Sequence, residues 1–183
     1  MHYKAGLETR DRILESTRAQ IAEKGLEGTT IKTICDRAGV LPGSFYNLFE
    51  SKEQAILTAV RAAIDAVDPD PEHAGTDTLD ELVDAYIRFI VEQDDLARVY
   101  IRIAVASRMN PALRGRILRH HEGRVKRFAA ALAKVRPDLD AEEVEERAET
   151  LVSALNGVAL HRSIDPEYEV TSYAHRLLGL ARA

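Results

Sequence analysis

Between Thr30 and Lys52 the chain sets hydroxyl, ammonium, phenol and carboxamide groups at close intervals: Thr30, Lys32, Ser44, Tyr46, Asn47 and Lys52. Such groups donate and accept hydrogen bonds without breaking bonds themselves, which suits binding an anionic or hydrogen-bonding partner. Groups capable of covalent chemistry are not arranged for it. His121-Glu122 is followed by Val125 where a zinc-protease helix needs its second His. His120 and His121 are adjacent, so on a helix they point about 100° apart and cannot close on one ion. There is no phosphate-binding glycine loop, dinucleotide fingerprint or nucleophile elbow. The sequence therefore calls for no catalytic residue, no metal and no cofactor, and a non-enzyme is expected.

The elements that must hold these groups are short helices. Ile31, Ile34, Cys35 and Ala38 recur at the spacing of one buried helical face. Cys35, the only cysteine, is read there as a small core side chain. Gly39 supplies the left-handed stop, Val40 plugs the corner, and Pro42 opens a second helix expected to reach Phe49. In that helix Phe45, Leu48 and Phe49 face inward, leaving Ser44, Tyr46 and Asn47 outward. Two short helices about a tight turn, the second polar on its outer face, have helix-turn-helix spacing. Upstream, a helix from an N-cap at Thr9 to Lys24 turns Ile13, Leu14, Thr17 and Ile21 inward and stops at Gly25; Thr29 or Thr30 caps the next. Downstream, Ser51 and Gln54 form a capping-box pattern that starts a fourth helix.

The stretch AEKGLEGTTIKTICDRAGVLPGSFYNLFESKE resembles the N-terminal DNA-binding region of the TetR family of transcriptional regulators. Shared elements are the Gly after the first helix, the Thr-led second helix, AGV at the turn and G-S-F-Y-x-x-F-x-S-K-E across the third and fourth. The resemblance covers roughly Thr9 to Val67, and the remainder is similar only in its helical layout. It implies that the third helix enters a major groove, with Ser44, Tyr46 and Asn47 reading bases and Asn47 suited to adenine N6 and N7. It further implies close backbone approach at Pro42 and Gly43 and phosphate anchoring by Thr30, Lys32, Tyr46 and Lys52. Lys52 sits at a helix N-terminus, where a cation opposes the macrodipole, so a phosphate partner would relieve the conflict. The chain departs from the family at Leu41-Pro42, where a polar pair is frequent, and this removes one expected phosphate contact.

Charge by itself does not suggest DNA. The net charge is −5, but residues 1–66 hold nine Lys/Arg and nine Asp/Glu, leaving sixteen and twenty-one for residues 67–183. A neutral head should bind non-specific DNA modestly and with strong salt dependence. Hydrophobic residues at 45% and charged residues at 30% are ordinary for a globular protein that buries a core. No apolar run approaches the ~20 residues that span a bilayer, and no hydrophobic leader opens the chain, so a cytoplasmic location without membrane contact is expected.

The expected organisation is all-α with about nine helices: a helix-turn-helix domain over 1–50, a connecting helix over 51–67, a linker over 68–77 and a C-terminal effector-binding and dimerisation domain over 78–183. Prolines and Gly75 mark the linker. Thr78 and Glu81 cap the next helix, a second is expected over 95–109, and Asn110-Pro111 caps a third reaching Val135. That third helix carries Arg114, Arg116, Arg119, Arg124, Lys126 and Arg127, read as a solvated face pairing with Glu142–Glu149. Asp140 and Glu143 cap the eighth helix, and a ninth begins near Val170. Tyr86, Phe89, Gln93, Tyr100, Ile103, His121, Phe128 and Asn156 mix aromatic bodies with polar tips, as in a pocket between bundled helices. The small residues Ser153, Ala154 and Gly157, with Val158, Tyr173 and Leu177, suit a close helix seam between two copies. The expected function is a ligand-responsive repressor that binds a palindromic double-stranded operator as a homodimer and answers a small-molecule effector. The alternative is a small-molecule carrier that keeps the helix-turn-helix as scaffold.

Overall fold

Gly25 and Gly39 punctuate the N-terminal third of the computed structural model, which describes residues 2–67, 75–109 and 111–183. Helix α1 spans His2–Gly28 and is broken at Gly25, whose φ of 66° and ψ of −178° lie outside helical geometry. Only glycine takes that conformation without strain. The helix starts well before Thr9, so Thr9 is an interior residue and not the N-cap; nothing upstream of it stops a helix. Past the kink, Leu26 packs back on the core and the Thr29 hydroxyl donates to the Gly25 carbonyl at 2.7 Å.

Helix α2 (Ile31–Ala38) is capped by Thr30, whose hydroxyl accepts from the Thr33 amide at 3.1 Å while the Thr33 hydroxyl accepts from the Thr30 amide at 3.0 Å. Gly39 closes it in the left-handed conformation at φ 64°. Helix α3 (Pro42–Tyr46) is shorter than the apolar spacing predicts: Asn47 is its C-cap, and Leu48 and Phe49 follow in a turn. Helix α4 spans Lys52–Val67. At its start the Ser51 hydroxyl accepts from Gln54, but the Gln54 carboxamide accepts from Glu50 rather than completing the expected box on Ser51.

The remaining helices are α5 (Leu79–Glu92), α6 (Asp94–Ala106, continued by a 3-10 turn over Ser107–Met109), α7 (Pro111–Val135), α8 (Ala141–Ile164) and α9 (Val170–Arg182). Thr78 and Asp140 form the two predicted capping boxes. The predicted N-cap Asn110 and linker positions 68–74 lie outside the described residues. The last linker residues are held: Arg127 clasps the Asp77 carboxylate at 2.6 and 2.7 Å, and Lys134 donates to the Asp77 carbonyl at 3.3 Å. No helix among the described residues is long and apolar enough to cross a membrane.

Two apolar clusters organise the chain. The head cluster joins Ile13 and Leu14 of α1, Ile34, Cys35 and Ala38 of α2, Phe45 and Phe49, and Ala55 and Ala59 of α4. The larger body cluster runs through α5 to α9 and takes in Ile21 of α1 with Ile56 and Val60 of α4. Helix α4 thus gives one set of residues to the head and another, one position on, to the body. A displacement of α4 has to repack both cores, because close-packed interiors do not absorb strain silently.

Candidate nucleic-acid interface and internal cavity

Phe45 is fully buried, with Phe49 at 5.4 Å and the edge of Tyr46 at 5.8 Å between ring centroids. That anchor fixes the rotation of the short α3 and leaves its other side to solvent. Tyr46 is 59% exposed and Leu41 77% exposed. Pro42, Gly43 and Asn47 are also exposed, while Ser44 is half-buried. Thr30 and Lys32 are exposed at the first turn of α2. Lys52 is half-buried and its ammonium donates to the Leu26 carbonyl at 3.4 Å. The conflict between this cation and its helix N-terminus therefore has partial relief within the chain. An ion pair at 2.7 Å between Arg37 and Glu23 ties α2 to α1. Burial raises the Cys35 thiol above its ordinary range, with Asp36 adding to the effect, as befits a core side chain.

Between α4, α5, α6, α7 and α8 lies a cavity of about 440 Å³, within the usual size for small-molecule sites. Six of the eight predicted pocket residues line it: Tyr86, Phe89, Tyr100, His121, Phe128 and Asn156. Gln93 and Ile103 do not. Ile103 is 3% exposed and belongs to the core, and Gln93 caps the end of α5. Ile64 of α4 lines the cavity, so the connecting helix touches it directly.

The arginine face of α7 is only in part the solvated, acid-paired surface its composition predicts: Arg114, Arg119 and Lys126 are exposed, but Arg116, Arg124 and Arg127 are half-buried. Arg127 turns to Asp77, whose carboxylate is 1% exposed. Arg116 reaches Glu50 of the head at 3.5 Å. Arg124 lines the cavity, its guanidinium 4.7 Å from the centre of the Tyr86 ring and its Nη1 donating to Asn156 Oδ1 at 3.1 Å. The contact from α7 to the acidic segment is made by His121, at 2.8 Å from Glu149. A signal for Arg124 was present: Ile117, His121, Arg124 and Phe128 form one row on the helix, and all four line the cavity.

Behind the cavity wall the Tyr100 hydroxyl and His120 Nδ1 are 2.8 Å apart. Burial, together with the positive charges of Arg124 and Arg61, pushes the His120 imidazole from 6.5 down to about 3, so it is neutral at ordinary pH. Burial raises the phenols of Tyr86 and Tyr100. The Tyr86 hydroxyl donates to the Leu155 carbonyl at 3.2 Å.

On the seam predicted along α8 and α9, Ser153 and Tyr173 are exposed and Ala154, Gly157 and Leu177 half-buried. Val158 is 5% exposed and belongs to the body core, and Gly157 also borders the cavity. Ile164 and Leu180, at 73% and 72% exposed, add apolar surface to these two helices.

Residues 13–59 match the family model described as bacterial regulatory proteins, tetR family, and residues 80–166 match the tetracyclin repressor-like C-terminal domain. The HTH-type transcriptional repressor KstR2 of Mycolicibacterium smegmatis is 41% identical over 56 residues, covering 31% of this chain and 27% of that protein. The matched stretch therefore spans little more than a quarter of that curated relative. Over nearly the whole chain the fold is that of a putative TetR-family regulator from Rhodococcus sp., with TM-score 0.71, 21% identity and coverage of 94% and 96%. Salmonella enterica GusR gives TM-score 0.66 at 25% identity, covering 96% of each chain. An exposed helix-turn-helix face on a helical body, both parts matching the same family, makes this chain a member of the TetR family of bacterial transcriptional regulators.

Proposed function

We propose that the protein is a homodimeric, ligand-responsive repressor of transcription. It would act in the cytoplasm, where residues 1–50 form the DNA-binding unit, 51–67 the connecting helix and 78–183 the effector-binding and dimerisation unit. The observation that carries this reading is α4. It contributes Ala55 and Ala59 to the head core, Ile56 and Val60 to the body core, and Ile64 to the cavity wall. A small molecule in the cavity presses on the same helix that positions the head. The exposed Tyr46 and Asn47 read base edges, Ser44 and the backbone at Pro42 and Gly43 approach the groove, and Thr30, Lys32 and Lys52 hold phosphates. The small residues on α8, with Tyr173 and Leu177 on α9, pair two copies. Their heads then meet major grooves spaced ~34–36 Å apart. The effector shifts that spacing by no more than its difference in affinity for the two states allows. The sign, repression, follows the name of KstR2.

The test is a fluorescence-anisotropy titration of the full chain against the DNA upstream of its own gene, repeated across a salt series. Sequence-selective, salt-sensitive binding by a dimer is expected. Absence of such binding at low salt would sink the regulator reading.

A further inference from the structure

We propose that the cavity ligand is an apolar molecule carrying one carboxylate, and that Arg124 is the residue that holds it; this rests on the ligand-responsive reading above. The walls set the first half of that description. Ile64, Leu82, Phe89, Ile117 and Phe128 line the space, and apolar side chains also rim it where it meets solvent. Val105, Leu118 and Leu160, all lining residues, are 75%, 51% and 46% exposed.

The charges set the second half. Among the described lining residues none is Asp or Glu, and three are basic or can become so. Asp77 takes up Arg127 through two hydrogen bonds of 2.6 and 2.7 Å, and Glu149 faces His121 at 2.8 Å. Arg124 has no carboxylate within ion-pair distance among the described residues. It has the Tyr86 ring and Asn156 Oδ1, both neutral. That oxygen also lies 3.3 Å from the Tyr86 hydroxyl, whose single proton it shares with the Leu155 carbonyl at 3.2 Å. The Nη2 of Arg124 is buried with no protein acceptor. A guanidinium donor left unsatisfied away from water is costly, and a carboxylate matches its planar fork with two parallel bonds. The positive potential of this corner is visible in His120, whose charged form is disfavoured by burial and by Arg124 and Arg61. A cationic ligand would meet Arg124 across a shared low-dielectric space, and the Tyr86 face it would need is already covered. A neutral apolar ligand would leave Nη2 as it is.

Calorimetry on the full chain tests this with two acids of different shape, dodecanoate and dehydroabietate, each below its critical micelle concentration. Their alcohols and dodecyltrimethylammonium serve as neutral and cationic counterparts. The acid whose shape fits should bind about 10- to 100-fold more tightly than its alcohol, the span expected for a charge-assisted hydrogen-bond pair. The cation should not bind. Arg124→Met should bring the acid down to the affinity of the alcohol and leave the alcohol unchanged, while Arg124→Lys should keep only part of the preference. Circular dichroism melting shows whether each variant folds; if Arg124→Met does not, the acid-to-alcohol ratio of the natural protein still decides. Equal binding of acid and alcohol, tighter binding of the cation, or no binding of either acid overturns the proposal. Anisotropy with DNA separates this from the regulatory reading. Selective acid binding that leaves DNA affinity unchanged upholds the carboxylate site and sinks ligand response. Release of DNA by the alcohol or the cation alone does the reverse.

Discussion

The head and the body differ in how far along the chain their polar groups reach: within the head the longest described contacts are Lys52 to Leu26 across 26 positions and Arg37 to Glu23 across 14. In the head, Thr17 donates to the Ile13 carbonyl and Thr29 to the Gly25 carbonyl, each four residues back and each at 2.7 Å. The caps of α2 and α4 close within three residues. In the body, Arg127 reaches Asp77 across 50 positions, Arg124 reaches Asn156 across 32, and the Tyr86 hydroxyl reaches Leu155 across 69. Local bonds form with the helix that carries them and rigidify a small unit that presents a fixed face. Long-range bonds exist only once helices have docked, and Tyr86, Arg124, Arg127 and Asn156, which take part in them, line the cavity.

Removing the long-range pair is the harshest way to break this comparison. Arg127→Met strips the buried Asp77 carboxylate of its bidentate partner and should cost roughly 3–5 kcal/mol in urea unfolding. Phe45→Ala attacks the head instead. Its ring is fully buried, and truncation should cost about 3–5 kcal/mol. Apolar packing joins the head to the body through α1 and α4, so this variant should lose DNA binding at temperatures where cavity binding, read by calorimetry, persists.

On the head's outer face Asn47→Ala should leave stability within about 0.5 kcal/mol. It should also remove discrimination at one base position worth roughly 1–3 kcal/mol, read by competition with single-base operator variants. Unchanged specificity would remove Asn47 from the reading face.

The body should also be the acid-sensitive half. His120 is held at about 3 in the folded chain against 6.5 when unfolded, so the unfolded state binds the extra proton below 6.5. This contribution is whole above pH 6.5 and is lost as the pH falls from there toward 3. Between pH 7.5 and 5 it amounts to roughly 1–2 kcal/mol, which His120→Gln should abolish in paired urea titrations. The smallest effect belongs to Lys52→Ala, which should weaken all DNA sequences alike and flatten the salt slope by about 1. A loss confined to one sequence would contradict a phosphate contact.

The same division explains what was legible. The N-cap at Thr30, one of the two threonines offered for it, the capping boxes at Thr78 and Asp140, the stop at Gly39 and the start at Pro42 are local devices, and each stands where the spacing allows it. The errors at α1 and α3 are also local. Thr9 can cap but nothing upstream obliges it to, and Leu48 and Phe49 keep apolar spacing in a turn as readily as in a helix. Six of the eight residues expected around a pocket line the cavity, because aromatic bodies with polar tips are conspicuous. Gln93 and Ile103 were misplaced because composition does not say which way a helix is rotated. Arg124 was set outside because arginine usually is, although its row with Ile117, His121 and Phe128 placed it inward.

The sequence by itself determined that the chain is helical, where most helices begin, and that residues 29–53 make a helix-turn-helix, because capping, glycine stops and apolar periodicity act within a few residues. Tertiary structure alone decided that Asp77 is a buried anchor for Arg127, that α4 serves two cores and a cavity wall, and that the Arg124 guanidinium faces the cavity with no carboxylate beside it among the described residues. Those facts depend on which helix faces meet, and a helix face acquires a partner only when the whole bundle packs.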